Sequence, residues 1–322
     1  MKIAVISRRD SWYRRDLERA IRANGHEFFR IDFPRLTGQL RRGHSLIETA
    51  GGRLAECDVV IVRTMPPGSL EQVVFRMDAL AEIEAAGVEV INPAKALECA
   101  VDKYLATARI QAAGLPIPSS IVCENAESAM AAFENLGGDV VVKPLFGSEG
   151  RGIVRVSDPD LAYRTFRTLE HIRSVLFLQE FIPHGDSDIR VLVMGNRVQG
   201  AIRRSSPGDF RSNIARRGKA TRHQPNDREV EYALRATDAV GAVLAGVDVL
   251  YDIERGQPVV IEVNGVPGWR AFRRATEIDV AANLIRFLEL SDRPHGSTNA
   301  TQHVSADSDG PTTDVPGSPQ LT

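Results

Sequence analysis

The chain opens on a short aliphatic run at residues 2–6 and then alternates such runs with amphipathic stretches. Strands of a parallel sheet are covered on both faces, so they read as near-continuous apolar runs rather than as alternation. On that pattern strands are expected at 2–6, 26–31, 58–62 and 88–91, with helices around 14–23 and 70–86. This is the order of a small open α/β sheet of Rossmann type. No GxGxxG follows the first strand. Ser7-Arg-Arg-Asp-Ser-Trp12 stands there, so the fold expectation carries no dinucleotide expectation. Asn92-Pro93 interrupts the pattern, and one helix is expected over roughly 95–113. Gly114-Leu-Pro-Ile-Pro118 then ends it and keeps the next segment extended. Strand and helix patterns resume and continue to about Leu290. From Ser291 to Thr322 the chain is rich in Ser, Thr, Pro, Gly and Asp. Such a composition cannot offset its own ordering entropy, so residues 291–322 are expected to be a disordered tail without a catalytic role.

Composition narrows the class. A chain of 322 residues, 43% hydrophobic, can bury more than one core, and two or three domains are expected. A formal net charge of -2 implies no global attraction to nucleic acid or acidic membranes. Cys57, Cys99 and Cys123 have neither CxxC spacing nor a histidine cluster beside them, which argues against zinc and against a disulfide framework. There is no signal-peptide pattern at the N-terminus, and no apolar run approaches the ~18 residues of a membrane span. A cytoplasmic protein is expected.

The chemistry is concentrated in a few strands. Pro258-Val-Val-Ile-Glu-Val-Asn-Gly-Val-Pro267 places Glu262 and Asn264 on one face of a strand. Asp248 joins them if residues 245–251 pair with that strand as a hairpin. Carboxylate and amide oxygens suit a hard cation, and so few protein oxygens suit Mg²⁺ shared with substrate phosphates better than a structural cage. A phosphate site is offered by 139–153, where Lys143 leaves a strand and Gly147, Gly150 and Gly152 follow. Glycines let backbone N–H groups approach phosphate oxygens, and the lysine adds a point charge. The lysine precedes the glycines, so this is no Walker A loop, and an ordinary β-turn is the plain alternative. The apolar run 176–183 carries Gln179 and Glu180, either as an adenine slot or as a buried strand with two solvent-facing polar residues. Asp188, at the head of a further strand, either accepts from ribose hydroxyls or pairs locally with Arg190. The basic stretch Arg203, Arg204, Arg211, Arg216, Arg217, Lys219 and Arg222 has Phe210 as its only aromatic, which disfavours nucleic acid. Positioned arginines do stabilise phosphoryl transfer to a carboxylate, and Arg203 and Arg211 with Asn213 are the candidates. The histidines form no pair, and no serine has a histidine–acid relay, so a serine hydrolase is not indicated.

The order of these motifs resembles the ATP-grasp ligases, and within them the RimK-like α-L-glutamate ligases. It is carried by Asp102-Lys103, Val-Val-Lys143-Pro with its glycine loop, Gln179-Glu-Phe-Ile182, Ser187-Asp-Ile-Arg190, Asp209-Phe-Arg-Ser-Asn213, Gly246-Val-Asp248 and Glu262-Val-Asn264. The resemblance spans roughly residues 1–290. It implies an α/β fold with an N-terminal Rossmann-like pre-ATP-grasp domain over 1–95, followed by a two-subdomain ATP-grasp fold over 96–290, divided at 182/183. The implied activity is a carboxylate–amine ligation that splits ATP to ADP and phosphate through an acyl phosphate. Lys103 and Lys143 would meet the phosphates under a loop containing Gly147, Ser148, Gly150 and Gly152. Glu180 and Phe181 would hold adenine between Gln179 and Ile182, Asp188 the ribose, and Arg211, Ser212 and Asn213 would complete the nucleotide and acyl-phosphate site. Asp248, Glu262 and Asn264 would ligate Mg²⁺, with Mn²⁺ as the alternative ion.

The implied partners are ATP, L-glutamate or another amino acid, and a carboxylate acceptor, either a small molecule or a protein C-terminus. Neither nucleic acid nor membrane is expected, and a homo-oligomer is left open. Arg217-Gly-Lys219 stands where relatives commonly show Gly-Gly, which keeps a dipeptide ligase in view, as does a non-catalytic Mg-ATP module. Trp269, stacking on a flat ring, would favour a pterin-type acceptor such as tetrahydromethanopterin, with a core role as the alternative. Arg63, at the carboxyl end of a strand, is a candidate for gripping the acceptor carboxylate.

Overall fold

Short aliphatic runs do become the central parallel strands, because their partners bury both faces. The computed structural model describes residues 1–42, 44–49, 52–147, 151–206 and 219–291. The chain begins β1 (Lys2–Ile6), α1 (Trp12–Ala23), β2 (Glu27–Ile31), a hairpin β3 (Thr37–Arg41) and β4 (His44–Thr49) with the short β5 (Gly52–Arg53), then β6 (Val59–Val62), α2 (Leu70–Ala85) and β7 (Glu89–Ile91). The parallel sheet runs β2-β1-β6-β7. Ser11 caps α1 by accepting from Arg14 N, and Ser69 with Gln72 forms a capping box on α2. One face of the sheet, through Ala4, Ile6, Val60 and Val62, packs on Leu80 and Ile83 of α2 and on Ile47 of the hairpin. The hairpin lies where the hydrophobic pattern predicts no element. β3 is mostly solvent-facing, and the hairpin carries too few apolar residues to show a period.

The helix expected over roughly 95–113 is two helices, α3 (Ala94–Val101) and α4 (Lys103–Ala112). Asp102 breaks it: its backbone is extended, and its carboxylate accepts from Tyr104 N at 2.9 Å and Leu105 N at 3.0 Å. A side chain that satisfies first-turn donors favours a new helix start over continuation. Next come β8 (Ser120–Cys123), α5 (Ala126–Asn135), β9 (Val140–Lys143), β10 (Val154–Val156), α6 (Pro159–His171) and β11 (Leu176–Glu180). They form an antiparallel sheet β10-β9-β11-β8, backed by α5 and α6 through Phe133 and Phe166.

The last third contains β12 (Ser187–Met194), β13 (Arg197–Ser205), β14 (Lys219–His223), α7 (Asp227–Ala239), β15 (Leu244–Asp252), β16 (Gln257–Asn264), α8 (Arg270–Thr276) and α9 (Val280–Ser291). The sheet order is β14-β13-β12-β15-β16, all antiparallel. Ile189, Val191 and Val193 face α7 on one side. The other side joins the first sheet in a common core of Leu192, Met194 and Ile202 with Ile3, Val5, Val59, Ile61, Trp269, Leu284 and Leu288. Asn92, which the sequence marks only as a break, clasps the two sheets. Its amide donates to Leu244 O (2.7 Å) and Gly265 O (2.5 Å), and its Oδ1 accepts from Val243 N and Leu244 N, each at 2.7 Å.

Candidate active site

The hairpin expected between residues 245–251 and the last strand exists, with Asp248 directly opposite Glu262 and Gly246 opposite Asn264. Because strand side chains alternate, these residues share a face with Asp188 and Arg190 of β12 and Arg204 of β13. That face carries a neutralised charge lattice. Arg190 grips both oxygens of Asp248, at 2.7 and 2.6 Å. Arg204 grips both oxygens of Asp188, its Nε at 2.7 Å from Oδ1, and reaches Asp248 Oδ2 at 3.0 Å. Burial by itself would raise the Asp248 carboxyl, but the two arginines outweigh it and hold the group at about 2. Asp188 therefore pairs with Arg204 rather than with Arg190.

Glu262 stands apart from this lattice. It is half-buried, lines the cleft, and makes no hydrogen bond or ion pair among the described residues. Asn264 donates its amide to Gly246 O at 3.2 Å and to Asp248 Oδ2 at 3.4 Å, which leaves its Oδ1 as a donor to a cation. A hard cation therefore fits here. Glu262 and Asn264 supply free oxygens, and Asp248 supplies a carboxylate whose charge the arginines already balance.

Across the cleft stands the strand end that carries Lys143. Its Nζ donates to Gln179 Oε1 at 2.5 Å, and the Gln179 amide is tied in turn to Ser120 Oγ at 3.0 Å. Burial lowers the Lys143 ammonium to about 8, an effect that Lys103 reinforces and that Glu262 and Asp248 oppose. Lys103 Nζ donates to Gly147 O at 2.9 Å, beneath the start of the glycine loop. Gly152, at φ +75°, occupies a left-handed conformation that suits glycine. The cleft of about 120 Å³ between the walls is lined by Lys103, Ala106, Lys143, Gln179, Asp188, Arg204 and Glu262, with Val141, Phe177, Phe181, Ile182 and Leu250 as apolar neighbours.

Glu180 lies at the cleft's edge. Arg255 donates to both of its oxygens at 3.1 Å and Ser119 N to Oε1 at 3.0 Å. Burial opposes the shift, but these donors hold the Glu180 carboxyl below its usual range. Phe181 is covered by Arg155, whose guanidinium carbon is 3.4 Å from the ring centroid.

Some expectations change. Arg203 projects from the opposite face of β13, exposed and bonded to Ser187 Oγ at 3.2 Å. The cleft-facing arginine is its neighbour Arg204, as a period of two requires. Trp269 is completely buried, with Nε1 on Asp16 Oδ2 at 3.0 Å and Tyr13 against its ring, so it has no face left for a pterin. Ser148, Gly150, Arg211, Ser212 and Asn213 lie outside the described residues. Arg204 and Arg255 were missed as site residues. The signal for Arg204 was an arginine at cleft-facing register in a strand; Arg255 sits in a turn and leaves no such signal.

A parallel α/β sheet followed by the two larger antiparallel sheets, with a charged cleft between them, defines an ATP-grasp enzyme. The RimK-like ATP-grasp domain matches residues 100–288 and the RimK pre-ATP-grasp domain residues 1–97, so the chain belongs to the RimK-like ATP-grasp family and is an enzyme of the ATP-grasp ligase class. It is 34% identical over 263 residues to the tetrahydromethanopterin:alpha-L-glutamate ligase of Methanosarcina acetivorans, covering 73% of this chain and 81% of that protein. It is 31% identical over 299 residues to a probable alpha-L-glutamate ligase of Teredinibacter turnerae, covering 92% and 97%. The ATP-grasp ligase PsnB, solved with a phosphomimetic variant of its minimal precursor, Mg and ADP, shares the fold at a TM-score of 0.70 and 22% identity, over 90% of this chain and 98% of that one. No helix among the described residues is long and apolar enough to cross a membrane.

Proposed function

We propose that this enzyme forms an amide bond between L-glutamate and a carboxylate acceptor at the expense of ATP. The observation that carries the reading is the Glu262 carboxylate, without a hydrogen-bond or ion-pair partner among the described residues, which shares its cleft with the half-buried Lys143 ammonium. A cleft that offers cationic groups and a free carboxylate suits a metal-bound triphosphate better than a neutral ligand. Lys143 and Lys103 meet phosphate oxygens, and Gln179 aims Lys143 by accepting from its Nζ. Glu262 and Asn264, with Asp248 behind them, would hold Mg²⁺ or Mn²⁺. An ion held there would supply neutralisation of phosphate charge. The acceptor carboxylate oxygen takes the γ-phosphoryl group and ADP leaves. The glutamate amine then attacks the acyl carbon, loses a proton, and expels inorganic phosphate. Arg204 and Arg190 keep the electrostatic frame fixed, so little reorganisation is needed as charge moves.

The names of the two curated relatives support glutamate as the amine, and one of them names tetrahydromethanopterin as the acceptor. With Trp269 buried, nothing about that residue favours a pterin, so the acceptor class we favour is an acid-tipped small molecule or coenzyme. The test is phosphate release from Mg-ATP across a panel of carboxylate acceptors, with and without L-glutamate. Release that depends on both substrates and falls about a hundredfold or more in Glu262→Ala supports the ligase. Nucleotide binding without release under any pairing points to a regulatory module instead.

A further inference from the structure

The buried polar side-chain atoms without a partner include Ser7 Oγ and Arg63 Nε. They are neighbours. β1 and β6 are adjacent parallel strands with Ile6 opposite Val62, and Arg63 N donates to Ile6 O at 2.9 Å, so Ser7 and Arg63 follow as the next residues at the carboxyl ends of the two strands. Alternation puts both on the face of Ile3, Val5, Val59 and Ile61. In the order β2-β1-β6-β7 the chain leaves β1 in one direction and returns to its other side at β6. The ends of β1 and β6 are therefore the switch point of the sheet, where open α/β folds place ligands.

Arg63 is 7% exposed and Ser7 0%. The guanidinium sits 4.1 Å from the Trp269 ring centroid and 5.0 Å from that of Tyr13, and among the described residues its one hydrogen bond is from Nη2 to Pro267 O at 2.8 Å. No acid answers it. The nearby Asp16 is committed to Trp269 Nε1, to Arg19 at 2.9 Å and to Arg273. Burial without a counter-ion lowers the Arg63 guanidinium to about 10. A buried cation beside an orphaned hydroxyl is costly unless something supplies the missing acceptors. The location also matters. Pro267, which Arg63 holds, packs on Gly246, where an added Cβ would stand 3.1 Å from Pro267 Cβ, and Gly246 precedes Asp248 on the same face of β15. The switch point thus adjoins the metal and phosphate end of the cleft.

We propose that Arg63 and Ser7 form a carboxylate-binding site, the anchor for an acid group of the acceptor, within the first domain rather than in the nucleotide cleft. The guanidinium offers its unpartnered Nε–H to one carboxylate oxygen, and the Ser7 hydroxyl donates a second bond. The aromatic walls exclude water and strengthen these bonds. The idea rests on the ligase reading, which says what the anchored acid is for.

Thermal-shift titration of the full chain with glutarate, with its diamide as the carboxylate-free control, tests the site directly. Glutarate should stabilise the wild type and the diamide should not. Its affinity should fall about 10- to 100-fold in Arg63→Met, and less in Ser7→Ala, which removes only a buried hydroxyl. The shift produced by Mg-ADP should be the same in all three proteins, which a general loss of packing would not allow. Equal glutarate affinity in wild type and both variants overturns the site, as does no glutarate response in a wild type that binds Mg-ADP. Phosphate release by the same proteins separates the two ideas. A glutamate-dependent ligase with unaltered glutarate affinity in the variants loses the anchor and keeps the activity, whereas an intact anchor without turnover keeps the site and loses the ligase.

Discussion

Asp248 and Glu262 face each other across one rung of a hairpin, yet their surroundings give them different work. Asp248 is locked between Arg190 and Arg204, while Glu262 has no hydrogen-bond or ion-pair partner among the described residues. Removing the charge of Asp248 takes away the acid that Arg190 grips and one of the two that face the buried Arg204, so Asp248→Asn is expected to lose about 3–5 kcal/mol of stability as well as activity. Glu262→Gln should lose activity with a stability change within about 1 kcal/mol. Denaturant unfolding of the two variants checks the contrast. The Asp248 carboxyl lies below its unfolded value, lowered from 3.8 to about 2. Its contribution is therefore present in full above about pH 4 and is lost as pH falls from there toward 2. Wild type should lose stability over that range by more than Asp248→Asn does, and an acid titration of the two with identical slopes would rule this out.

Between residues and the whole lie the local devices that aim side chains. Asp102 is one. By ending α3 and capping α4 it turns a single amphipathic stretch into two helices and sets Lys103 at the first position of the second, under Gly147. Asp102→Ala should cost about 1 kcal/mol, read as a lower melting temperature, and raise the KM for ATP more than that for glutamate as Lys103 loses its fixed origin. The Asp102-Lys103 pair was visible in the sequence, but the break was not. A helical period continues through the pair, and only the extended backbone at Asp102 shows where the carboxylate went. Strand β13 teaches the same lesson. Two adjacent arginines are equally basic on paper, and the register against Asp188 selects Arg204 for the cleft.

At the scale of the molecule, the first sheet and the large sheet do not stand as separate bodies. A common core runs from Ile3 and Ile61 through Trp269 to Leu192 and Met194, and α9 from the end of the described chain closes it against α1. Asn92 stitches the same seam with four hydrogen bonds to two backbone segments, at Val243-Leu244 and at Gly265. Asn92→Ala would orphan these buried groups, and a loss of about 2–4 kcal/mol is expected. Calorimetry should still show one cooperative transition, at a lower temperature. Two separated transitions would mean that the sheets fold independently and that the clasp contributes little. Because the seam passes beside Arg63 and Pro267, the same variant should weaken glutarate binding more than Mg-ADP binding.

The amino-acid sequence by itself determined the alternation of elements, the strands of the first sheet to within a residue or two, the pairing of Asp248 with Glu262, and the motif order that marks the family. Each is a local matter of period, turn chemistry or spacing, and so survives without the fold. Only the tertiary structure decided which charges are spent and which are free. Asp188 and Asp248 look alike in sequence, and so do Arg190 and Arg204, but cross-strand neighbours pair all four and, among the described residues, leave Glu262 without a partner. Trp269 reads as a stacking platform until helices from both ends of the chain enclose it. Ser7 and Arg63 are far apart in the chain and meet only because two parallel strands lie side by side. Partners of this kind are set by register and burial between distant segments, and no local pattern encodes them.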